Sequence, residues 1–489
     1  MFALVFALCA CGCAVPLAPG YRVLVEQSEV RFVPGQAPEL RIHSQYKLEN
    51  SGDADLPFID VVLPDEKLFG RADLRAELDG HATPLAPLPD EYQQGLPPAR
   101  RISFDSAWRE KQSHELTIDY TFRAPQDSGH RITLGVESFH LGSRDWFPQL
   151  QPPKHVLAPN PERPDKMTYT VRVPAGFMVL ARGTPAGQKN EAGETVFRFK
   201  LRAVDLAPFI VAGKYSNASG AGQKSSAAVF WTLEPLKEDQ AAAAGRIAAV
   251  WSSLQTDFGP LDKNIRVPHI IESPQVRSHV GRAAGPAAAA FPGGLLVNPD
   301  ALALGIGSDD FLEMAAHALA HNWFGDEIYT TADASIGMGE GLPEYAAIAI
   351  DAARQGGDAR QQRILRYLTE YDAATRVASE TPLSITTIDD PAPQRRIALA
   401  KAPLFMAALE DECGASAMHE GLKELVTLLR GQEAGYSDLR SALEHASGKN
   451  LADLFRTWLN EKGIPAEFRK RYQPSSRLDA VGFKTSHRK

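Results

Sequence analysis

The sequence predicts a mixed α+β protein of several domains, because its pattern of apolar residues changes along the 489-residue chain. Through much of residues 21–215, apolar and polar residues alternate with a period of two, which is typical of half-buried antiparallel strands. After about residue 227 the apolar residues recur at helical spacing instead. A chain of this length is too long for one hydrophobic core, so we expect two to four domains.

The composition is that of an ordinary globular protein. Hydrophobic residues make up 44% of the chain and charged residues 23%, and the formal net charge is −8. A net negative charge gives no reason to propose nucleic acid as a partner.

The first residues predict an export leader. An apolar run at residues 1–13 is too short to span a bilayer but suits the core of a signal peptide at residues 1–16. The chain has four cysteines: Cys9, Cys11, Cys13 and Cys413. Small residues before the second and third of these resemble a bacterial lipoprotein cleavage box. We therefore expect an exported protein, either periplasmic or lipid-anchored to an envelope membrane, whose only contact with the membrane is that N-terminal anchor. No disulfide framework is available to the body of the chain.

The predicted N-terminal β domain covers residues 21–215. Alternation is clearest in three runs, at residues 21–25, 116–122 and 167–173. Breaks rich in proline and glycine separate such runs and mark loops. A small, polar, glycine-rich stretch at residues 216–226 follows, and we interpret it as a linker.

Beyond the linker the sequence predicts helices. Residues 238–258 carry an apolar stripe at helical spacing, which we assign to the core. Ser308 is placed to cap a helix that continues through residues 311–323. Amphipathic helical runs dominate residues 358–458, and a tail at residues 473–489 ends the chain.

The segment near residue 320 carries the strongest indication of chemistry. His317 and His321 are four residues apart, so on a helix their side chains point in the same direction. Glu340 follows nineteen residues after His321, and two histidines with a more distant carboxylate give the three-ligand geometry of a catalytic zinc site with one open position. The usual motif is H-E-x-x-H, in which the Glu is the general base of a metallopeptidase. In this chain that position is Ala318.

The flanks of the motif make this sequence similar to a known family. H-x-x-x-H-x-W-F-G, followed at this distance by a Glu-Gly pair, resembles the M1 family of zinc aminopeptidases, a gluzincin family with a thermolysin-like catalytic domain. The W-F-P stretch at residues 146–148 and the strand-like run at residues 204–215 also resemble M1 segments. The resemblance implies that His317, His321 and Glu340 hold one zinc ion.

The same resemblance implies an order of domains. The N-terminal β domain at residues 21–215 would lead into a thermolysin-like, M1 catalytic-type domain at residues 227–400. Residues 401–472 would form the helical C-terminal part of that domain, with residues 473–489 as a tail.

Three positions depart from the family pattern. The general base corresponds to Ala318, the tyrosine that stabilises the oxyanion corresponds to Leu399, and the Glu that binds the substrate's amino group corresponds to Ala290. We therefore assign no catalytic residue. The sequence predicts an M1-like zinc-binding protein whose peptidase activity is lost or strongly reduced, and whose partner is a peptide or protein ligand.

Two other interpretations stay open. The chain could be an active zinc metallopeptidase or aminopeptidase that takes its base from elsewhere, for example from Glu313 or Glu344, which lie four residues before His317 and four after Glu340. It could also be a metal-free scaffold for protein–protein contact, although a scaffold needs none of the three ligands. Restoring the base with Ala318→Glu would separate an inactive chain from one that already has a base.

Overall fold

The computed structural model describes residues 20–472 except residues 53, 65, 67–69, 89–98, 124–131, 143–145, 152–165, 203–208, 218–227, 236–239, 262–266, 277–285 and 389. The predicted signal peptide, the tail and most of the predicted linker lie outside the described residues. The chain divides into two compact units, one within residues 1–128 and 144–212 and the other within residues 129–143 and 213–489.

The strands and helices follow one another in a definite order. The strands are β1 (Tyr21–Val33), β2 (Glu39–Asn50), β3 (Leu56–Val62), β4 (Arg71–Leu78), β5 (His81–Ala82), β6 (Ala86–Pro87), β7 (Ala99–Trp108), β8 (Ser113–Arg123), β9 (Ile132–Leu134), β10 (Ser138–Leu141), β11 (Gln149–Gln151), β12 (Lys166–Pro174), β13 (Met178–Ala181), β14 (Thr184–Glu191), β15 (Glu194–Arg202), β16 (Ile210–Gly213), β17 (Ser216–Asn217), β18 (Val229–Thr232), β19 (His269–Glu272), β20 (Ala288–Phe291), β21 (Gly294–Val297), β22 (Tyr329–Thr330) and β23 (Glu433–Ala434). The α-helices are α1 (Gln240–Phe258), α2 (Pro299–Leu302), α3 (Asp309–Ala320), α4 (Gly341–Gln355), α5 (Gly357–Thr375), α6 (Ala392–Cys413), α7 (Ala415–Leu428), α8 (Tyr436–Ser447), α9 (Ala452–Asn460) and α10 (Ala466–Tyr472). Short 3₁₀ helices lie at Ala332–Ala334 and Leu383–Ile385.

The first unit is built around an eight-stranded sheet with the strand order β14-β15-β12-β1-β2-β8-β4-β5. Its neighbouring strands are antiparallel except β1 and β12, which pair in parallel. A second sheet has the order β11-β3-β7-β6. Every second residue of β12 is buried, as its period-two pattern predicts. The largest buried side chains of this unit include Trp108, Trp146 and Tyr120.

The second unit combines a five-stranded sheet with most of the helices. The sheet has the order β17-β18-β19-β21-β20, with β18, β19 and β21 parallel and β20 antiparallel at one edge. One hydrophobic core runs from the sheet through the helices to α10, and it includes Trp251, Phe258 and Trp323. The predicted fold class, an N-terminal β domain followed by a mixed domain with a helical C-terminal region, is confirmed.

The helix that carries the first histidine is shorter than its pattern predicts. Ser308 caps α3 as expected, since its side chain accepts a hydrogen bond from the Phe311 N–H at 3.2 Å. The prediction that the helix continues to Trp323 is wrong, because the helix ends at Ala320 and tighter turns follow. Gly325 lies just beyond them with a φ of +151°, which favours glycine. Among the described helices, none is long and apolar enough to cross a membrane.

Candidate metal centre

The three predicted ligands lie together in the second unit. The Nε2 atoms of His317 and His321 are 3.3 Å apart, and the Oε2 atom of Glu340 lies 3.6 Å from the first and 3.8 Å from the second. A zinc ion about 2.0–2.1 Å from nitrogen ligands in tetrahedral geometry holds those ligand atoms about 3.3–3.4 Å apart. The distances between the three atoms therefore fit a single metal ion, and within the described part of the chain this is the one group of its kind.

Local structure explains how three residues from two elements converge. His317 lies in the last turn of α3, and His321 caps that helix with φ −62° and ψ −15°. Its backbone is still helical, so its side chain keeps the direction that the spacing of four residues gives it. Glu340 stands immediately before α4. An added Cβ at Gly341 would lie 3.2 Å from the Ala402 Cβ, so glycine lets α4 begin close against α6.

Asn322 fixes the end of α3, although this role was not predicted from the sequence. Its Oδ1 accepts a hydrogen bond from the Gly293 N–H at 2.6 Å, and its Nδ2 donates to the carbonyls of Gly294 at 3.2 Å and Leu319 at 3.0 Å. Asn322 is buried, so these bonds satisfy its whole amide while joining the helix end to the β20–β21 turn. Its position next to His321 was the only signal in the sequence.

Both histidines are oriented by their other ring nitrogen. The Nδ1–H of His317 donates to Oε2 of Glu344 at 2.9 Å, and the Nδ1–H of His321 donates to the Phe324 carbonyl at 3.2 Å. When the ring is neutral, each bond selects the tautomer with a free electron pair on Nε2, the atom that faces the other predicted ligands. Glu344 is thus a partner of a predicted ligand histidine.

The charges around His317 perturb its protonation. Burial disfavours the imidazolium, but the Glu340 and Glu344 carboxylates outweigh that effect and raise the pKa of His317 to about 10. Burial alone would raise the pKa of Glu344, yet His317 and Arg363 hold it well below its ordinary value. A metal ion would therefore bind by displacing a proton from His317.

The positions predicted to lack catalytic groups are apolar where the structure places them. Ala318 lies on α3 with 3% of its surface exposed and packs within the hydrophobic core. Leu399 lies on α6, partly buried against that core and one turn before Ala402. Ala290 lies on the edge strand β20, paired with Leu295. Their correspondence to the base, the tyrosine and the amine-binding Glu of M1 enzymes stays a prediction.

The two acids considered as substitute bases are both held in ion pairs. Glu344 bonds to His317 and to Arg363, whose Nη2 lies 2.5 Å from its Oε1. Glu313 pairs with Arg363 and with Arg366, the second at 2.8 Å. For Glu344, the charges of His317 and Arg363 favour the ionised form, so this carboxylate is a weak proton acceptor.

Comparison with known proteins agrees with this geometry. Residues 292–458 match the model of the peptidase family M1 domain. The glutamyl aminopeptidase of Sus scrofa is 25% identical over 157 residues, which make up 31% of this chain. The matched part spans only 17% of the length of that relative. The family match begins just after β20, so it does not include Ala290.

Solved structures of M1 zinc metallopeptidases share the fold. That of the Deinococcus radiodurans enzyme superposes with a TM-score of 0.62 at 17% identity, covering 91% of this chain and 95% of the other. A mutant of the Deinococcus radiodurans enzyme bound to a Tyr-Ser-Ala substrate gives a TM-score of 0.61 at 19% identity, with the same coverage of both chains. The resemblance predicted from the motif is confirmed: the chain has the fold of M1 metallopeptidases, and residues 292–458 match the peptidase family M1 domain.

Proposed function

We propose that this chain is an M1 metallopeptidase-like protein that binds one zinc ion through His317, His321 and Glu340 and has lost most or all of its peptidase activity. The observation that carries the proposal is the contrast within one site. Three ligand atoms lie at distances that suit zinc, with both histidines oriented by a second bond, whereas the residue beside the first ligand is an alanine in the core.

The missing groups account for the expected loss of activity. Zinc in such a site supplies a Lewis acid that polarises a carbonyl and acidifies a bound water. A general base typically contributes about 10²–10⁴-fold to the rate, and one oxyanion donor contributes about 10²–10³-fold. Such contributions do not multiply freely within one catalytic unit. Alanine at position 318 and leucine at position 399 still leave this chain without either group.

A site of this kind would bind a ligand without cleaving it. Three protein ligands leave one coordination position open, and a peptide carbonyl, carboxylate or amine could fill it. We infer a peptide or protein ligand, and the peptide bound to the Deinococcus radiodurans mutant supports that class. We further propose that the protein is exported and is either periplasmic or anchored by a lipid on its leader.

The experiment that tests the proposal begins with metal content. Zinc per chain is measured by elemental analysis of protein purified without chelator, beside the His317→Ala/His321→Ala double variant. We expect about one zinc per chain in the unmodified protein and none in the control. No zinc after reconstitution would refute the metal site and leave the metal-free scaffold.

Peptidase assays then separate the proposal from an active enzyme. Aminopeptidase substrates are compared for the unmodified chain, for Ala318→Glu and for the double-histidine control. Hydrolysis well above the control in the unmodified chain, with little gain from Ala318→Glu, would show that another base serves and that our conclusion about activity is wrong.

A further inference from the structure

The Nδ1 atom of His317 leads into a cluster of charged side chains. Glu344 accepts a hydrogen bond from His317 through Oε2 and one from Arg363 through Oε1, at 2.9 and 2.5 Å. Nη1 of Arg363 also lies 3.2 Å from Oδ2 of Asp351, and Arg363 forms an ion pair with Glu313. The Arg363 side chain is 7% exposed and that of Asp351 is 4% exposed, so the centre of the cluster is shielded from water.

This cluster joins three helices at the metal centre. Glu313 lies on α3 with His317, Glu344 and Asp351 lie on α4, and Arg363 lies on α5. The planar guanidinium suits this place, because its fixed set of donors can serve carboxylates in several directions at once. A buried charge cluster is weak evidence for stability, since desolvation offsets the attraction between the charges. Its contact with a ligand histidine indicates a different role.

We propose that Arg363 is a positioning residue of the metal centre, which holds the Glu344 carboxylate so that it orients the ring of His317 and strengthens zinc binding. This inference rests on the proposed zinc site and extends it to a residue outside the ligand set. Without Arg363, the carboxylates of Glu313, Glu344 and Asp351 would repel one another at short range. Glu344 would then leave the orientation in which it accepts a hydrogen bond from Nδ1–H of His317.

A double-mutant cycle on zinc affinity tests the proposal. Dissociation constants are measured by competition with a fluorescent zinc chelator for the unmodified chain, Glu344→Ala, Arg363→Met and the double variant. Losing a group that orients a metal-binding histidine weakens binding about 10–100-fold, and we expect this range for Glu344→Ala. We expect a loss of about tenfold for Arg363→Met. Because Arg363 acts through Glu344, the double variant should bind zinc as well as Glu344→Ala alone does.

Two further variants keep the result interpretable. Arg360→Met removes another arginine of α5, whose Nη2 lies 2.7 Å from Glu410 and 3.0 Å from Asp411, and it should leave zinc affinity unchanged. Arg363→Lys retains one positive charge and replaces Arg363→Met in the zinc-affinity measurement if Arg363→Met does not fold. Its zinc affinity should be intermediate, because an ammonium group cannot bridge several carboxylates as a guanidinium does.

The outcomes distinguish this inference from the proposed function. If Arg363→Met weakens zinc binding by the same factor in the Glu344→Ala background as in the unmodified one, Arg363 does not act through Glu344 and the inference is overturned. An equal loss in Arg360→Met would overturn it as well, since the effect would then follow from helix packing. Absence of zinc from the unmodified chain would instead refute the proposed function itself.

Discussion

A buried carboxyl group in the β domain should make its stability depend on pH. Glu26 lies on β1 directly opposite Tyr46 of β2 and is 2% exposed, with the Ser28 hydroxyl donating to its Oε1 at 3.3 Å. Burial raises the pKa of Glu26 from an ordinary value of 4.5 to about 8, although hydrogen bonds with Ser28 and Tyr46 act in the opposite direction. Glu26 therefore keeps its proton in the folded protein at neutral pH.

The sign and size of the effect follow from this pKa. Between pH 4.5 and about 8 the unfolded chain has released the Glu26 proton while the folded chain still binds it, so a rise in pH favours unfolding. The stabilisation of the folded protein that comes from the raised pKa of Glu26 is fully present below pH 4.5 and is lost as the pH rises towards 8. Between pH 5 and pH 8, this one group should lower the free energy of unfolding by about 3–4 kcal/mol.

Urea denaturation of the unmodified chain and of Glu26→Gln at pH 5 and pH 8 measures this effect. Glutamine keeps the shape of the side chain but does not titrate, so the variant should lose about 3–4 kcal/mol less than the unmodified chain over the same interval. Glu29→Gln is the matched control. It removes a carboxylate from the same strand, but the Glu29 side chain is 38% exposed. Identical pH dependence in the unmodified chain and Glu26→Gln would refute the reasoning.

Three further substitutions test the second unit. Lys401→Met removes the ammonium that lies 2.8 Å from the buried Glu380 carboxylate, and urea denaturation should show a loss of about 3–5 kcal/mol. Asn322→Ala breaks the bonds that tie α3 to the β20–β21 turn; it should lower the free energy of unfolding by about 1–3 kcal/mol and weaken zinc binding, and an unchanged zinc affinity would contradict the role given to Asn322. Ser308→Ala removes the cap of α3 and should cost about 0.5–2 kcal/mol, with faster amide hydrogen exchange in the first turn of that helix but not in α5.

Local patterns in the sequence predicted the parts of the fold that local physics decides. The alternating residues of β12 and the cap of α3 depend on neighbours in the chain, and both are found where their patterns place them. The parallel pairing of β1 with β12 joins strands that are more than a hundred residues apart, and no periodicity encodes such a partner. The same limit explains where α3 ends. Hydrogen bonds between Asn322 and the β20–β21 turn end the helix before its apolar pattern ends.

The candidate site shows the same division between local and distant information. His317, His321 and Glu340 could be named because their spacing and flanking residues form a motif. Arg363 could not, because it lies on another helix and is linked to His317 through Glu344. Ala318 is informative for the opposite reason: its position in the motif is known, so the absence of a carboxylate there can be seen without any structure.

The charge cluster behind His317 also bears on whether this fold is merely a scaffold. If the cluster served folding alone, a well-packed apolar replacement of the Glu344–Arg363 pair would be neutral or would stabilise the protein by about 1–4 kcal/mol, since burying charges is expensive. The cluster instead ends at Glu344, which accepts a hydrogen bond from Nδ1–H of the predicted ligand His317, and the Phe324 carbonyl accepts a similar bond from His321. Orientation of both rings suits a metal site, because it leaves each Nε2 atom free to bind the ion. A Glu344→Leu/Arg363→Met variant that folds as stably as the unmodified chain yet binds zinc more weakly would show that the cluster serves the metal centre, whereas equal zinc affinity would show that it does not.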